Sequence, residues 1–322
     1  MKAIRFEKTG GPDVLHYVDV DLPQPAAGQV RVRHTAVGVN FIDTYHRSGL
    51  YKLPLPSGLG SEAAGVVEAL GDGVATLKPG DRVAYAGAMG AYAEANNVAA
   101  DRLVKLPDAI GDETAAAALL KGMTAQYLLK RTYPVTAGQT IVLHAAAGGV
   151  GLIAGQWARH LGVTVIGTVG SDDKRALAQA NGAAHVLNSR DPDWPKQVRE
   201  LTGGLGVPVV YDSIGKDTFA GSLDALAIRG MLVSFGNSSG AAPAFEPGIL
   251  SAKGSLYVTR PTLAHYTRDA RELQETADDL FAVIASGAVK IAVHQRFRLA
   301  DAAKAHEALH SRATTGATVL IP

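Results

Sequence analysis

The chain has 322 residues, 47% apolar and 19% charged, with a net charge of +1 and no cysteine. That length exceeds one ordinary core and suits two domains. The charge balance excludes a global field that would gather nucleic acid or anionic membrane, and the missing thiols exclude disulfides, thiolate catalysis and sulfur-based zinc sites.

Met1-Lys-Ala-Ile-Arg-Phe-Glu-Lys lacks the apolar centre of a signal peptide. No run approaches the roughly 18 apolar residues of a membrane span. A cytoplasmic protein is expected, with no membrane and no nucleic acid among its partners. Residues 1 to about 120 read as short strands between Gly, Pro and Asp turns: Val30–His34, Gly65–Ala69 and Asp81–Tyr85, with turns at Gly71-Asp-Gly73 and Lys78-Pro-Gly-Asp81. Their alternation predicts an antiparallel, barrel-like domain.

From about 138 to 260 strand and helix patterns alternate, the signature of a parallel sheet with crossover helices. The strands are expected at Thr140–His144, Val163–Thr168, Ala184–Asn188, Val207–Asp212, Met231–Phe235 and Ser255–Thr259. Six is the count of a complete doubly wound dinucleotide-binding sheet. Helices are expected over Val150–Leu161 and over Asp172–Ala180 behind a Ser171 cap. A long helix carries Leu273, Ala277, Leu280, Phe281 and Ile284, and Ala317–Ile321 closes the chain as a strand.

Ala146-Ala-Gly-Gly-Val-Gly151 follows a strand and opens a helix. It matches the dinucleotide fingerprint with alanine for the first glycine: Gly148 admits a pyrophosphate, and Gly151 lets the helix close on the sheet. The helix N-terminus offers the phosphates unpaired N–H groups and partial positive charge. An NAD site would need a carboxylate about 20 residues on. Gly170 stands there, followed by Ser171, Lys174 and Arg175, which suit a 2′-phosphate. Lys174 and Arg175 also read as solvated helix charges, and Asp172 and Asp173 add negative charge nearby. NADPH is the cofactor expected.

With those residues read, the chain resembles the quinone oxidoreductases of the zeta-crystallin type, in the medium-chain dehydrogenase/reductase superfamily. The resemblance rests on Val39-Asn-Phe-Ile-Asp-Thr-Tyr45, Arg47-Ser-Gly-Leu-Tyr51, Gly58-Leu-Gly-Ser-Glu-Ala-Ala-Gly65 and His144–Gly151. It continues through Val210-Tyr-Asp-Ser213, Phe235-Gly-Asn-Ser-Ser-Gly240, Gly254-Ser-Leu-Tyr-Val-Thr-Arg-Pro261 and Ser311-Arg-Ala-Thr314. It implies a discontinuous GroES-like, mainly antiparallel β-barrel catalytic domain of residues 1–122 and 262–322. A Rossmann domain of residues 123–261 completes it, with the quinone site in the cleft between the two.

Where zinc alcohol dehydrogenases of the superfamily keep a zinc cysteine, this chain has Asn40, and their Gly-His-Glu reads Gly60-Ser-Glu62. His46 and Asp43 alone make a poor zinc site, so no metal is expected. Without a Lewis acid the acceptor must be intrinsically willing, and a quinone is: it is conjugated, and its reduction yields an aromatic ring. By the resemblance, Asn40, Tyr45 and Tyr51 line the quinone site. Lys121, Thr124, Tyr127, Ala147, Gly148, Gly149, Val150, Gly151, Gly170, Ser171, Lys174, Asn188, Ser189, Phe235, Gly236, Asn237, Ser238 and Arg312 meet the cofactor. Glu62 reads equally as structural or catalytic, and no residue must act as general acid. Relatives carry Asn-Tyr where this chain has Asn188-Ser189. The uncharged edge strand Ser255–Thr259 would join two subunits in a homodimer. Two alternatives stay open: reduction of α,β-unsaturated ketones and aldehydes, and a crystallin-like or RNA-binding role without turnover.

Overall fold

A computed structural model describes residues 1–311 and 314–322. The polypeptide divides into two compact units. One comprises Met1–Met123, Thr267–Ala285 and Ile291–Pro322; the other comprises Thr124–Tyr266 and Ser286–Lys290.

The first unit is built on a seven-stranded sheet. Its path runs Val293–Arg298, Ala317–Ile321, Gln29–Val39, Glu62–Leu70, Arg82–Ala86 and Val104–Lys105, with Ala95–Ala99 also pairing to Gln29–Val39. Val293–Arg298 and Ala317–Ile321 pair in parallel, and the other pairings are antiparallel. Gln29–Val39 extends well beyond the expected Val30–His34. Its second half, Ala36-Val-Gly-Val39, is buried throughout and so shows no alternation to read. Gly38 sits where a Cβ would lie 2.2 Å from the Ala116 carbonyl oxygen, so only glycine admits the helix Asp112–Tyr127 there. The helix Phe41–Ser48 begins at Asn40, whose extended backbone (φ −132°) marks an N-cap, and stops at Gly49 in the left-handed region (φ 85°).

The second unit holds six parallel strands in the order Ala183–Asn188, Thr164–Val169, Thr140–Leu143, Val207–Asp212, Leu226–Ser234, Tyr257–Thr259. This is the doubly wound order that the alternating pattern implies. A core of Val142, Ile166, Trp194, Val198, Val210 and Leu232 fills one side of it. Two expectations need correction. The segment Asp172–Ala180 is a 3₁₀ turn (Asp172–Lys174) followed by an α-helix (Arg175–Ala180), and Ser171 occupies the cap position without a side-chain capping bond. The last strand starts at Tyr257, and Ser255, two residues before it, takes a left-handed backbone (φ 56°) that departs from the regular extended form.

Candidate active site

In the second unit the expected cofactor residues of the glycine turn, Gly170–Ser171, Asn188–Ser189 and Phe235–Ser238 lie at or just past the carboxyl ends of parallel strands, where open α/β sheets bind ligands, while Thr124 and Tyr127 lie in the helix Asp112–Tyr127. The strand Thr140–Leu143 gives way to His144 and then to Ala145, which holds φ 52°, a conformation uncommon for a side chain with a Cβ. The Gly148 N–H donates to the Ala145 carbonyl (2.8 Å), and the helix Gly149–His160 starts at once behind Gly148. A Cβ on Gly151 would lie 2.2 Å from the Ala145 oxygen and 2.8 Å from Ala146 backbone. Glycine there lets the helix sit directly on the turn. The first helical N–H groups have no partner within the helix, so they remain available to an anion.

That turn is anchored from below. His144 is buried, with Nδ1 2.7 Å from Thr168 Oγ1 and Nε2 3.0 Å from Ser222 Oγ. Its ring stands edge-on to Trp194, with centroids 4.9 Å apart. Burial pushes its pKa below the ordinary 6.5 and keeps it neutral. Ser222 Oγ in turn donates to Asp212 Oδ2 (2.9 Å). Asp212 also accepts from the Ile214 and Gly215 N–H groups (2.8 and 3.0 Å) and from Thr218 Oγ1 (2.9 and 2.8 Å).

The neighbouring strand ends at Val169. A Cβ on Gly170 would meet nothing within 4 Å, so the strand end opens to space and no carboxylate stands on it. Beyond it, Arg175 donates through Nε to Asp172 Oδ1 (2.7 Å) and through Nη1 to the Val186 carbonyl. Asn188 donates to the same Asp172 oxygen (3.3 Å). Asp172 is thereby paired, and its pKa falls below the usual carboxylate range, the Arg175 hydrogen bond being the main cause. Arg175, read from sequence as a 2′-phosphate group, is engaged in bracing this turn. Ser189 ties back to the Val169 carbonyl through both N–H (2.8 Å) and Oγ (3.2 Å).

On the other side of Thr140–Leu143, past the ends of Val207–Asp212 and Leu226–Ser234, the Phe235 N–H donates to the Asp212 carbonyl (2.7 Å). A Cβ on Gly236 would lie 2.5 Å from the Ser213 carbonyl oxygen. The Asn237–Ser238 segment therefore lies close against the loop after Asp212, with Ser238 N–H donating to Ser213 (3.2 Å). Thr124 and Tyr127 are buried, and Tyr127 stacks on Tyr266 with centroids 4.5 Å apart and planes 11° apart. Arg312 lies outside the described residues.

In the first unit, Asn40 is buried and its Nδ2 donates to Glu62 Oε2 (2.8 Å). Glu62 is fully buried and also accepts from the Leu120 N–H (2.6 Å) and from Lys121 Nζ (3.2 Å). Glu62 thus gathers three donors, one of them a buried cation, and it is the hub that orients the Asn40 amide. Lys121, expected beside the cofactor, is the ion-pair partner of Glu62. Tyr45 and Tyr51 are half-buried and meet edge to face, with centroids 5.2 Å apart and planes at 65°, and His46 stands edge-on to Tyr51 at 5.8 Å. The Tyr51 N–H donates to the Tyr45 carbonyl (3.0 Å), which folds the chain back after Gly49 and brings the two rings together.

Sequence reasoning assigned no role to Asp43, Tyr92, His306, Thr168, Asp212 or Ser222. Tyr92 and His306 are 214 positions apart, and no local pattern marks such a pair.

Comparison with known proteins places these geometries in context. The zinc-binding dehydrogenase family matches residues 149–281, and the alcohol dehydrogenase GroES-like domain matches residues 26–108. A quinone oxidoreductase of Pseudomonas aeruginosa is 55% identical, over 100% of this chain and 99% of its own. The crystal structure of Escherichia coli quinone oxidoreductase complexed with NADPH superimposes with a TM-score of 0.98 at 52% identity, covering 100% of both chains. A 2-haloacrylate reductase of Burkholderia is 45% identical over 98% of each chain.

The first family's description raises zinc, which needs three or four converging His, Cys or carboxylate ligands. Among the described residues no group of three or more such side chains converges. Asn40 gives its amide to Glu62, and the Lys121 ammonium stands against the same carboxylate. An amide in place of a thiolate, and a carboxylate already balanced by an ammonium, make a donor set that does not fit zinc.

Proposed function

The chain belongs to the quinone oxidoreductase family of medium-chain dehydrogenases and reductases, and on that footing we propose that it is a zinc-independent reductase passing a hydride from NADPH to quinones. The observation that carries the cofactor half is the strand end at Gly170, open and without a carboxylate, beside a glycine turn that starts a helix. NADPH, when bound, supplies the hydride, and the protein's part is to hold and orient. Ala147 to Gly151 receive the pyrophosphate. Gly170, Ser171, Lys174, Asn188 and Ser189 border the 2′-phosphate, and Thr124, Tyr127 and Phe235 to Ser238 border the rest. Arg312 belongs to the same proposed set. Asn40, Tyr45 and Tyr51 face the acceptor: the tyrosine pair offers aromatic surface to a flat ring, and the Asn40 amide and the phenols offer N–H and O–H groups to the developing oxyanion. Lys121, by balancing Glu62, keeps the Asn40 amide correctly turned.

The 45% identity to a 2-haloacrylate reductase favours a second reading, reduction of a conjugated carbon–carbon double bond. Both acceptors are conjugated to a carbonyl and both take a hydride. Steady-state comparison of benzoquinones and naphthoquinones with enones and 2-alkenals, at equal NADPH, separates the two. A kcat/KM for enones above that for quinones reverses the assignment, and turnover of neither class removes both.

The chain acts, on this reading, as a cytoplasmic homodimer. Tyr257–Thr259 is the outer strand of the six-stranded sheet, it carries no charge, and Tyr257 is 58% exposed. An open, uncharged edge of this kind pairs with a second copy. Equilibrium sedimentation is expected to give a dimer, and a clean monomer at micromolar concentration removes the pairing. No described helix is long and apolar enough to cross a membrane; recovery of the protein in a membrane or secreted fraction would contradict the cytoplasmic placement.

A further inference from the structure

Within the first unit, four buried side chains form a line whose hydrogen-bond direction is fixed by chemistry. Arg47 Nη1 lies 3.1 Å from His306 Nδ1, His306 Nε2 lies 3.0 Å from Tyr92 Oη, and Tyr92 Oη donates to Asp43 Oδ2 (3.0 Å). All four are buried, each at most 3% exposed. A guanidinium can only donate, so His306 Nδ1 must accept and carry no proton. The neutral imidazole then bears its proton on Nε2 and donates to Tyr92, whose own proton is left for Asp43. Burial, with Arg47 alongside, pushes the His306 pKa down to about 3, consistent with a ring that stays neutral. The line therefore runs one way, from a fixed cation to a carboxylate.

The carboxylate end does one more thing. Asp43 Oδ2 also accepts the Asn40 N–H (2.8 Å), at the N-cap of the helix that carries Tyr45. Asn40 is thus held twice, its backbone by Asp43 and its amide by Glu62. We propose that Asp43 is a positioning residue for the reduction: through the Arg47–His306–Tyr92 line it fixes the Asn40 cap, and with it the Asn40 amide and the Tyr45 helix, in the orientation the reaction uses. This rests on the reading of Asn40 and Tyr45 as acceptor-side residues.

The other oxygen gives the device a pH response. Asp43 Oδ1 is buried and has no hydrogen-bond partner among the described residues. Burial pushes the Asp43 pKa up to about 7, against the Asn40 N–H, the Tyr92 hydroxyl and Lys121, which favour the anion; Glu62 disfavours it. A proton arriving on Oδ1 finds no acceptor among the described residues, and it weakens Oδ2 as the acceptor of the Asn40 N–H. An anion in the first turn of a helix also suits the helix dipole. The cap is therefore firm above neutrality and relaxes below it.

The test uses the full-length protein. Tyr92→Phe removes one hydroxyl from the line and one donor from the carboxylate. With quinone and saturating NADPH, kcat is expected to fall about 10- to 100-fold, the scale of a sub-ångström to one-ångström misplacement, with NADPH affinity unchanged. Because the anion loses a donor, the acid-side inflection of kcat moves upward in pH. Asp43→Asn, which keeps the shape and cannot titrate, should remove that inflection altogether. A folded Tyr92→Phe protein with wild-type kcat and an unmoved inflection overturns the proposal. A second measurement needs no turnover and no Tyr92 variant: the Asn40 backbone amide, followed by NMR without substrate, should titrate near neutral pH in the wild type and not in Asp43→Asn. A flat response in the wild type overturns the cap mechanism even if the enzyme is active. Absence of any quinone or enone turnover, with the amide titrating, would instead fault the functional reading and leave the cap standing.

Discussion

Each unit buries a neutral histidine, hydroxyl groups and one aspartate, and the two sets differ in whether every polar atom is matched. In the nucleotide-binding unit Asp212 accepts from four donors across both oxygens, and both nitrogens of His144 are engaged. The direction is again forced. Ser222 gives its only proton to Asp212, so His144 Nε2 donates to Ser222 and Nδ1 accepts from Thr168. In the other unit Asp43 takes two hydrogen bonds on one oxygen and, among the described residues, none on the other. A fully matched set rigidifies what it touches, here the turn that presents the glycine loop. An incompletely matched one retains a protonation state that can change, and it lies beside the residues proposed to face the acceptor. The same parts thus give a scaffold in one place and a responsive support in the other.

The two aspartates should therefore respond oppositely to the same substitution. Asp212→Asn, with its amide oxygen kept toward Ile214 and Gly215, turns its two N–H donors on Thr218 and Ser222, which already point protons there. Loss of a buried acceptor for several donors costs roughly 3–5 kcal/mol. A urea unfolding curve with an unchanged slope reads it directly, and binding of NADPH and NADH should fall together because the glycine turn loosens. A loss below about 1 kcal/mol, within the range of an ordinary surface change, would mean that the network is not the anchor it resembles.

For Asp43 the sign reverses. Its folded pKa is about 7, raised from 3.8 by burial. The unfolded chain therefore gives up that proton first as pH rises. Stability is full below about pH 4 and is lost progressively as pH climbs through about 7, by up to the order of 4 kcal/mol. Asp43→Asn removes the anion that has to be buried, so the variant should melt higher than wild type at about pH 8 and nearly with it at about pH 4. Destabilisation at the higher pH would mean that the Tyr92 and Asn40 hydrogen bonds outweigh desolvation. Gain of stability together with loss of turnover is the expected mark of a group kept for function.

How far all this could be read in advance follows from where each signal is stored. Alternation of strand and helix patterns is local, and it located the six parallel strands; Val207–Asp212 and Ala317–Ile321 fall where expected. Strand ends blurred where the backbone departs from the regular form. Leu226–Ser234 starts five residues before the expected Met231, and its first half holds Arg229 in the left-handed region (φ 60°) next to Gly230, a break in the regular extended form. Val293–Arg298 was not read at all, since its only pairing is to Ala317–Ile321 and its alternating pattern is polar. The glycine turn was legible because its requirement for small residues is written in consecutive positions. Asp43, Tyr92 and His306 were not, because what links them is a line of hydrogen bonds among residues 49 and 214 positions apart.

The comparison sharpens last at the surface of the nucleotide-binding unit, where discrimination between cofactors is expected to reside. The buried network supports the turn proposed to meet the pyrophosphate, a group common to NADPH and NADH, so it is not expected to tell them apart. The 2′-phosphate differs between them, and it would meet the open end of Thr164–Val169, where Gly170 leaves space and Lys174 closes the 3₁₀ turn. Arg175 is engaged by Asp172 and the Val186 carbonyl, and Lys174 and Ser171 are the groups proposed to meet the phosphate. A hydrogen bond to a charged group is worth roughly 1.5–3 kcal/mol, and salt screens such a pair at a half-open site toward the lower figure. Lys174→Ala is expected to weaken NADPH about tenfold and to leave NADH nearly unchanged, as read by fluorescence titration at fixed salt. Equal weakening of both would move Lys174 from the phosphate to the common part of the site. Wild type binding NADH as tightly as NADPH would remove the 2′-phosphate assignment itself.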